Sequence, residues 1–396
     1  MPQLFLNLSA KPHKLFFLGG ILNAMVFMAI MLGQYAGFAY PVVAPKLYHA
    51  YSMFFAVFTQ FFTAFLFTMF PRFLVADEVP KKRYVTIFLL LNISSLLYAM
   101  AVYVSQTIAA LAMLGLFVAH ACIFKTLWEL NAQGSSPDRY DTNWMLGAFS
   151  LGVLSHLLFV LQQFGVGPVS LDIFAINMGF FLYLFLLVLT LSQKMIPFFT
   201  ENKVQGYKSN KTPFFLEAMF LLLAIKVLLI SLQLSSFDVV VDLLLFAMTL
   251  QELIKWRLPF FKVDAMLWVL YLSLLWIPLG FLLYVFSDLG QLFSGSGAVM
   301  FEKVHLHAIA VGYFVTIAIG FGSRIILGHA GHKPLADRFT IGLFGLVQVL
   351  VFSRIIGGLS LNLDTALYIP LIIFSALVWL VLFTLWSKRY LKLLFQ

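Results

Sequence analysis

A single cysteine, Cys122, stands among 396 residues, so the chain can close no disulfide of its own. It also lacks the material for a cysteine metal cluster or a c-type haem attachment. Charge is scarce as well: Asp, Glu, Lys and Arg together make up 10% of the residues, too few to cover a soluble surface of this size. The longest polar break, about residues 194–213, is a basic linker, which excludes an appended soluble domain. No internal repeat of the transporter kind stands out.

Apolar residues fill the space that charge leaves. Hydrophobic types account for 62% of the chain, and the mean hydropathy is +0.98. A soluble core stops growing near ~250–300 residues, so a globular fold has no use for this much apolar surface. The apolar residues fall in runs of about 20, enough to cross a hydrocarbon layer ~30 Å thick. In lipid the backbone must satisfy its own polar groups, so each run reads as a helix. The chain is therefore expected to be one all-α, polytopic membrane domain over 1–396. Twelve crossings are expected, at approximately 14–36, 48–70, 84–106, 108–130, 143–164, 172–193, 214–235, 238–256, 265–287, 304–324, 338–360 and 365–387. The most polar is 238–256, which carries Asp238, Asp242, Glu252 and Lys255. The first is long and has no small-residue cleavage site, so it reads as a retained helix.

Basic residues orient these crossings. With twelve, 21 Lys and Arg fall on one side, including Lys81, Lys82, Arg83, Lys203, Lys208, Lys333 and Lys388. Only Lys46 and Lys303 fall on the other, while Lys226 and Arg354 lie within crossings. Positive charge stays on the cytoplasmic side, so both termini are expected there. The excess of 25 basic over 16 acidic residues is thus a topology signal and calls for no nucleic-acid partner.

Eight histidines occur, and an imidazole inside a membrane invites a functional reading. The second and tenth crossings both run from outside to inside. That places His49, His305 and His307 at one level near the outer boundary, from two distant parts of the chain. Residues two apart on an α-helix point ~200° from each other, so His305 and His307 would serve different sites. Imidazole is the usual ligand of haem b iron, so His49 and one of His305 and His307 are candidate ligands if the second and tenth crossings are neighbours. Arg354 lies roughly sixteen residues into the eleventh crossing, ~24 Å up at ~1.5 Å per residue, level with that layer. A buried guanidinium needs an anion, and a haem propionate supplies one. The competing reading is that His49 and His305 are simply hydrated at the interface. His120 and His156 read as core histidines bonded to backbone carbonyls, and His13 as solvated. His329 and His332, in LGHAGHKP, are two ligands at most. Lys226 and Asp242 read as an ion pair, with Glu217 as an alternative partner and a proton path as the competing reading.

Several stretches together resemble the NnrS family of bacterial haem- and copper-containing membrane proteins. They are PHKLFFLGGILNAM, LYHAYSMFFAVFTQFF, KMIPFFT, LWVLYLSLLWIPLGFLLY and, nearest to the family pattern, LHAIAVGYFVTIAIGFGSRIILGHAGHKP. Carried over position by position, the resemblance implies cofactor roles for His49, His307, Arg324, Gly328, His329 and Gly331. The second histidine and the acid of the family's H-A-H-E are Tyr51 and Ser52 here, its histidine in the ninth crossing is Tyr271, and an arginine is Lys14. Two possible imidazoles are thus missing, which weakens the case for copper and leaves that for haem intact. A more distant likeness is to the catalytic subunit of haem-copper oxidases, where histidines open the second and tenth of twelve crossings; it implies that His49 and His307 hold one haem and that His305 faces a second haem or metal. The copper ligands that those enzymes take from the sixth and seventh crossings have no counterpart here.

The resemblance implies a protein of the bacterial cytoplasmic membrane, holding one haem b or two and linked to nitric oxide metabolism. It would act by electron relay or by binding nitric oxide, with a quinol or a redox protein as electron donor. The alternatives are a cofactor-free twelve-helix transporter and a haem sensing or insertion protein.

Overall fold

Proline at the first turn, where a helix has no use for the missing N–H, begins α1 (Pro12–Tyr35) and α2 (Pro45–Leu74). There follow α3 (Lys81–Ala101), α4 (Gln106–Gln133), α5 (Tyr140–Gln163) and α6 (Leu171–Lys203). Next come α7 (Phe215–Ser231), α8 (Ser235–Trp256), α9 (Ala265–Ser294) and α10 (Val304–His329). The last are α11 (Arg338–Leu359) and α12 (Tyr368–Phe395). Asp337 caps α11, its carboxylate accepting from the backbone N–H of Thr340 at 2.8 Å. The computed structural model describes residues 3–168, 170–294, 301 and 303–396, and among these every regular element is helical.

Among the described residues, ten of the helices are long and apolar enough to cross a membrane. The other two occupy the places of the seventh and eighth expected crossings: α7 has only 17 residues, and α8 carries the four charges noted above. Helix ends overshoot the hydropathy limits, because backbone hydrogen bonding does not stop where lipid does. Thus α6 continues to Lys203 and α9 to Ser294, past the expected ends at 193 and 287.

The chain forms two compact units. The first comprises Met1–Leu187, Ile325–Lys333 and Phe383–Gln396; the second comprises Val188–Arg324 and Pro334–Leu382. In the first unit α1, α2 and α3 are joined by amides. Asn92 of α3 exchanges hydrogen bonds with Gln60 of α2 at 3.1 and 3.3 Å, and Asn23 of α1 donates to Asn92 at 3.0 Å. Polar side chains bonding across helices are one of the few specific forces available in lipid. Gly19 makes the approach possible, since a Cβ there would lie 1.9 Å from Oε1 of Gln60. In the second unit α8 packs on α7 and α9, while α10 packs on α9 and α11. There the indole N–H of Trp276 donates to Gln348 at 2.9 Å.

Three helices share a build that the sequence reading did not detect. Each of α2, α6 and α10 passes from α into π geometry and back, over Ser52–Phe58, Met178–Phe185 and Ala308–Val315. They stand four helices apart in the chain and are the most buried of the ten. A π turn widens the helix, re-aims the side chains beyond it and is frequent at functional sites. In α2 the N–H and the hydroxyl of Thr59 both donate to the carbonyl of Phe54, the hydroxyl at 2.7 Å.

Candidate functional site

The turn before the π segment of α2 carries Tyr51, fully buried against α4 and α5. Its hydroxyl lies 2.8 Å from Nε2 of His156 on α5 and 3.3 Å from the carbonyl of Met113 on α4. The other nitrogen of His156, Nδ1, lies 3.1 Å from Nδ1 of His120 on α4. Both imidazoles are fully buried, and Nε2 of His120 has no hydrogen-bond partner. Aromatic rings exclude water around them. Phe55 stacks on His156 at 4.0 Å, Phe159 stacks on Tyr51 at 5.1 Å, and Phe149 stands edge-on to His120 at 4.8 Å. Tyr183, from the π segment of α6, lies 5.2 Å from the His120 ring and shares a 2.9 Å hydrogen bond with Thr59.

The geometry limits the protons. Only one can lie between the two Nδ1 atoms, so one ring donates and the other accepts. If Tyr51 donates to Met113, Nε2–H of His156 donates to Tyr51 and the outer Nε2 of His120 is bare. If Tyr51 donates to His156, that same Nε2 carries a hydrogen with nothing to accept it. The two states differ in the tautomer of both rings, and each is neutral, so the cluster needs no buried charge. The reading of His120 and His156 as separate core histidines, each on a backbone carbonyl, is corrected here: they bond each other.

A second histidine pair lies at the other end of α2, in the same unit. His13, expected in solvent, is 1% exposed, because the end of α10 covers the start of α1. Its ring is 4.4 Å from that of His329. Nδ1 of His329 donates to the carbonyl of Ile325 at 3.0 Å, which leaves Nε2 to accept from Arg72 at 3.4 Å. Beside them Lys11 pairs with Glu78 at 2.7 Å, and this ammonium holds the Glu78 carboxyl below its ordinary value. Gly331 follows with φ +76°, a left-handed turn that glycine adopts without strain. His332 is exposed.

In the second unit other motifs singled out in the sequence meet. Arg324 lays its guanidinium 4.0 Å over the ring of Phe199, and Thr200 shares a 2.7 Å hydrogen bond with Tyr271. His305 packs its ring 3.8 Å from Tyr284. His307, half-buried, donates through Nδ1 to the carbonyl of Lys303 at 2.8 Å. Arg354 is half-buried on α11. In the first unit His49 is half-buried near the start of α2, its carbonyl accepting from Ser52 at 3.1 Å. Among the described residues no three His, Cys, Asp or Glu side chains converge closely enough to hold a metal ion.

Sequence reasoning missed two groups altogether. Asp288 fell just beyond the expected end of its crossing, yet α9 carries it on, nine-tenths buried, toward Lys226 and Asp242. Tyr284 was one aromatic among many; its signal was its place one turn before that acid.

A family model described as NnrS protein matches residues 7–396, while no curated protein matches the chain. The match spans every stretch whose side chains meet above, from His13 and Tyr51 to Tyr271, Arg324 and His329. By this coverage, nearly the whole of its length, the chain belongs to the NnrS family.

Proposed function

We propose that this chain is a haem b protein of the bacterial cytoplasmic membrane that takes part in nitric oxide metabolism. In this reading all twelve helices cross the membrane and both termini are cytoplasmic, which the 21-to-two distribution of basic residues supports. His49 and His307 would hold the haem iron, and His305 would be available to a second haem. Arg354, Arg324 and His329 lie toward the aqueous edges, where propionates need cations or donors.

The observation that carries the reading is the hydrogen bond from Nδ1 of His307 to the Lys303 carbonyl. A ligating histidine characteristically gives its second N–H to a carbonyl, which selects the tautomer and orients the ring. The donor set of His307 therefore fits haem iron. Bound haem would supply electron relay or the binding of nitric oxide. The protein's own share is to hold the ring planes, to exclude water with its many phenylalanines, and to keep protons available through buried tyrosines and histidines. The electron donor would be a quinol or a redox protein.

A visible spectrum of the detergent-purified chain tests this. We expect the absorption of b-type haem, with haem and metal content measured on the same sample. The absorption should be lost in His49→Ala and His307→Ala and retained in His120→Phe. A colourless preparation, from cells supplied with haem, that still protects them against nitric oxide would overturn the reading.

A further inference from the structure

A polar centre that the haem reading does not use lies in the second unit, where α7, α8 and α9 pack together. Lys226 of α7, 1% exposed, donates to Oδ2 of fully buried Asp242 on α8 at 2.7 Å. This is the ion pair expected from the sequence, but it has company. The same ammonium sits 3.9 Å over the ring of Tyr284 on α9. One turn further along α9, Asp288 brings its carboxyl within hydrogen-bonding reach of Asp242. One turn before Asp242 on α8, Asp238 is close enough to act on both the lysine and that pair. None of the three acids is more than 9% exposed.

The charges do not balance. Three buried carboxyls face one buried ammonium, and carboxylates have no hydrogen to give one another. Oδ1 of Asp242, Oδ2 of Asp288 and Oδ1 of Asp238 are buried acceptors without a donor. Lys226 compensates one negative charge. Leaving the neighbouring carboxyl ionised would bury an uncompensated charge, which is among the costliest states a protein interior can hold. One proton between Asp242 and Asp288 removes that charge and supplies a donor to their unpaired oxygens, while the remaining negative charge, on Asp238, lies in the first turn of α8, where the helix N–H groups favour an anion. A metal cation fits less well: hard cations want six or more oxygens, and the ammonium already occupies the centre and repels a second positive charge.

We propose that Asp242 and Asp288, poised against Lys226, form an exchangeable proton-binding site shared between α8 and α9. The other titratable groups facing it are Asp238 on α8, Tyr284 on α9 and, behind the tyrosine ring, His305 of α10, itself under the influence of Lys303. Asp238 and Tyr284 tune the site; the proton resides on the carboxyl pair. None of its three principal groups is among the ligands proposed above; His305, the candidate for a second haem, touches only the tyrosine ring.

Infrared spectroscopy of the full-length protein in lipid nanodiscs, titrated with acid and base, tests the assignment. Wild type should show the C=O stretch of a protonated carboxyl at neutral pH, shifted in D2O and lost reversibly in base. Asp288→Asn, of equal size and able to hydrogen-bond, should fold and lose the band. Asp288→Glu should keep it at a displaced frequency, and Asp238→Asn should leave it in place. Replacing choline chloride by sodium chloride at constant pH should change nothing. Absence of any protonated carboxyl band in folded wild type would overturn the proposal. So would its survival in folded Asp288→Asn, or its loss on adding sodium.

Discussion

The hydroxyl of Tyr51 stands 2.8 Å from Nε2 of His156, fully buried between α2 and α5. The phenol thereby joins α2 to a two-imidazole chain on α4 and α5 in which each group depends on the next. Tyr51→Phe should remove one partner and leave a buried imidazole nitrogen unsatisfied, costing ~1–3 kcal/mol. His156→Phe should cost a similar amount. The double variant should lose less than the sum, with a coupling of ~0.5–3 kcal/mol. Thermal unfolding of the four detergent-purified proteins measures this, and strict additivity would mean that the hydrogen bond contributes nothing.

Gly152 on α5 faces the ring of Tyr183, and a Cβ there would come within 2.5 Å of it. Gly152→Val should push the ring away from His120 and break its hydrogen bond with Thr59. Overpacking of this kind costs ~1–3 kcal/mol. Adding Tyr183→Leu to the valine variant should recover part of the lost melting temperature, which a backbone effect of the valine alone would not allow.

Tyr271 shares its hydroxyl with Thr200, both largely withdrawn from solvent. Tyr271→Phe should lose about 1 kcal/mol, the net worth of one hydrogen bond. Thr200→Val should lose about as much, and the pair together little more than either alone. Comparison of melting temperatures checks the ordering.

Lys11 and Glu78 tie the start of the chain to the segment after α2 through an exposed ion pair. Because the folded protein holds the Glu78 carboxyl below its ordinary value, the contribution is complete above the unfolded carboxylate range. It fades as pH falls through the lowered folded value. Solvent screening limits it to ~0–1 kcal/mol, less at high salt. Glu78→Gln should therefore quicken proteolysis near the N-terminus at neutral pH and low salt. In acid it should make no difference.

Hydropathy is a local quantity, so much of the architecture was legible one segment at a time. The helices at 45–74, 106–133 and 304–329 follow from their composition alone, and the family from motifs along the whole chain. The π segments were not legible, since a nearly uniform apolar run such as SMFFAVF looks alike at either helical period. The proton site was half legible. Lys226 and Asp242 stood out as charges in lipid, but Asp288 did not, because hydropathy misplaced the end of α9 by more than a turn.

Composition determined by itself that this chain lives in a bilayer as helices, because every apolar run must bury its own backbone polar groups wherever its neighbours lie. Tertiary structure alone decided what each intramembrane histidine does. His156 takes its partners from residues 105 and 36 positions away, Tyr51 and His120, and His13 is covered by a helix end more than three hundred residues later. A buried imidazole must find a donor or an acceptor within about 3 Å, and which one it finds depends on packing across helices.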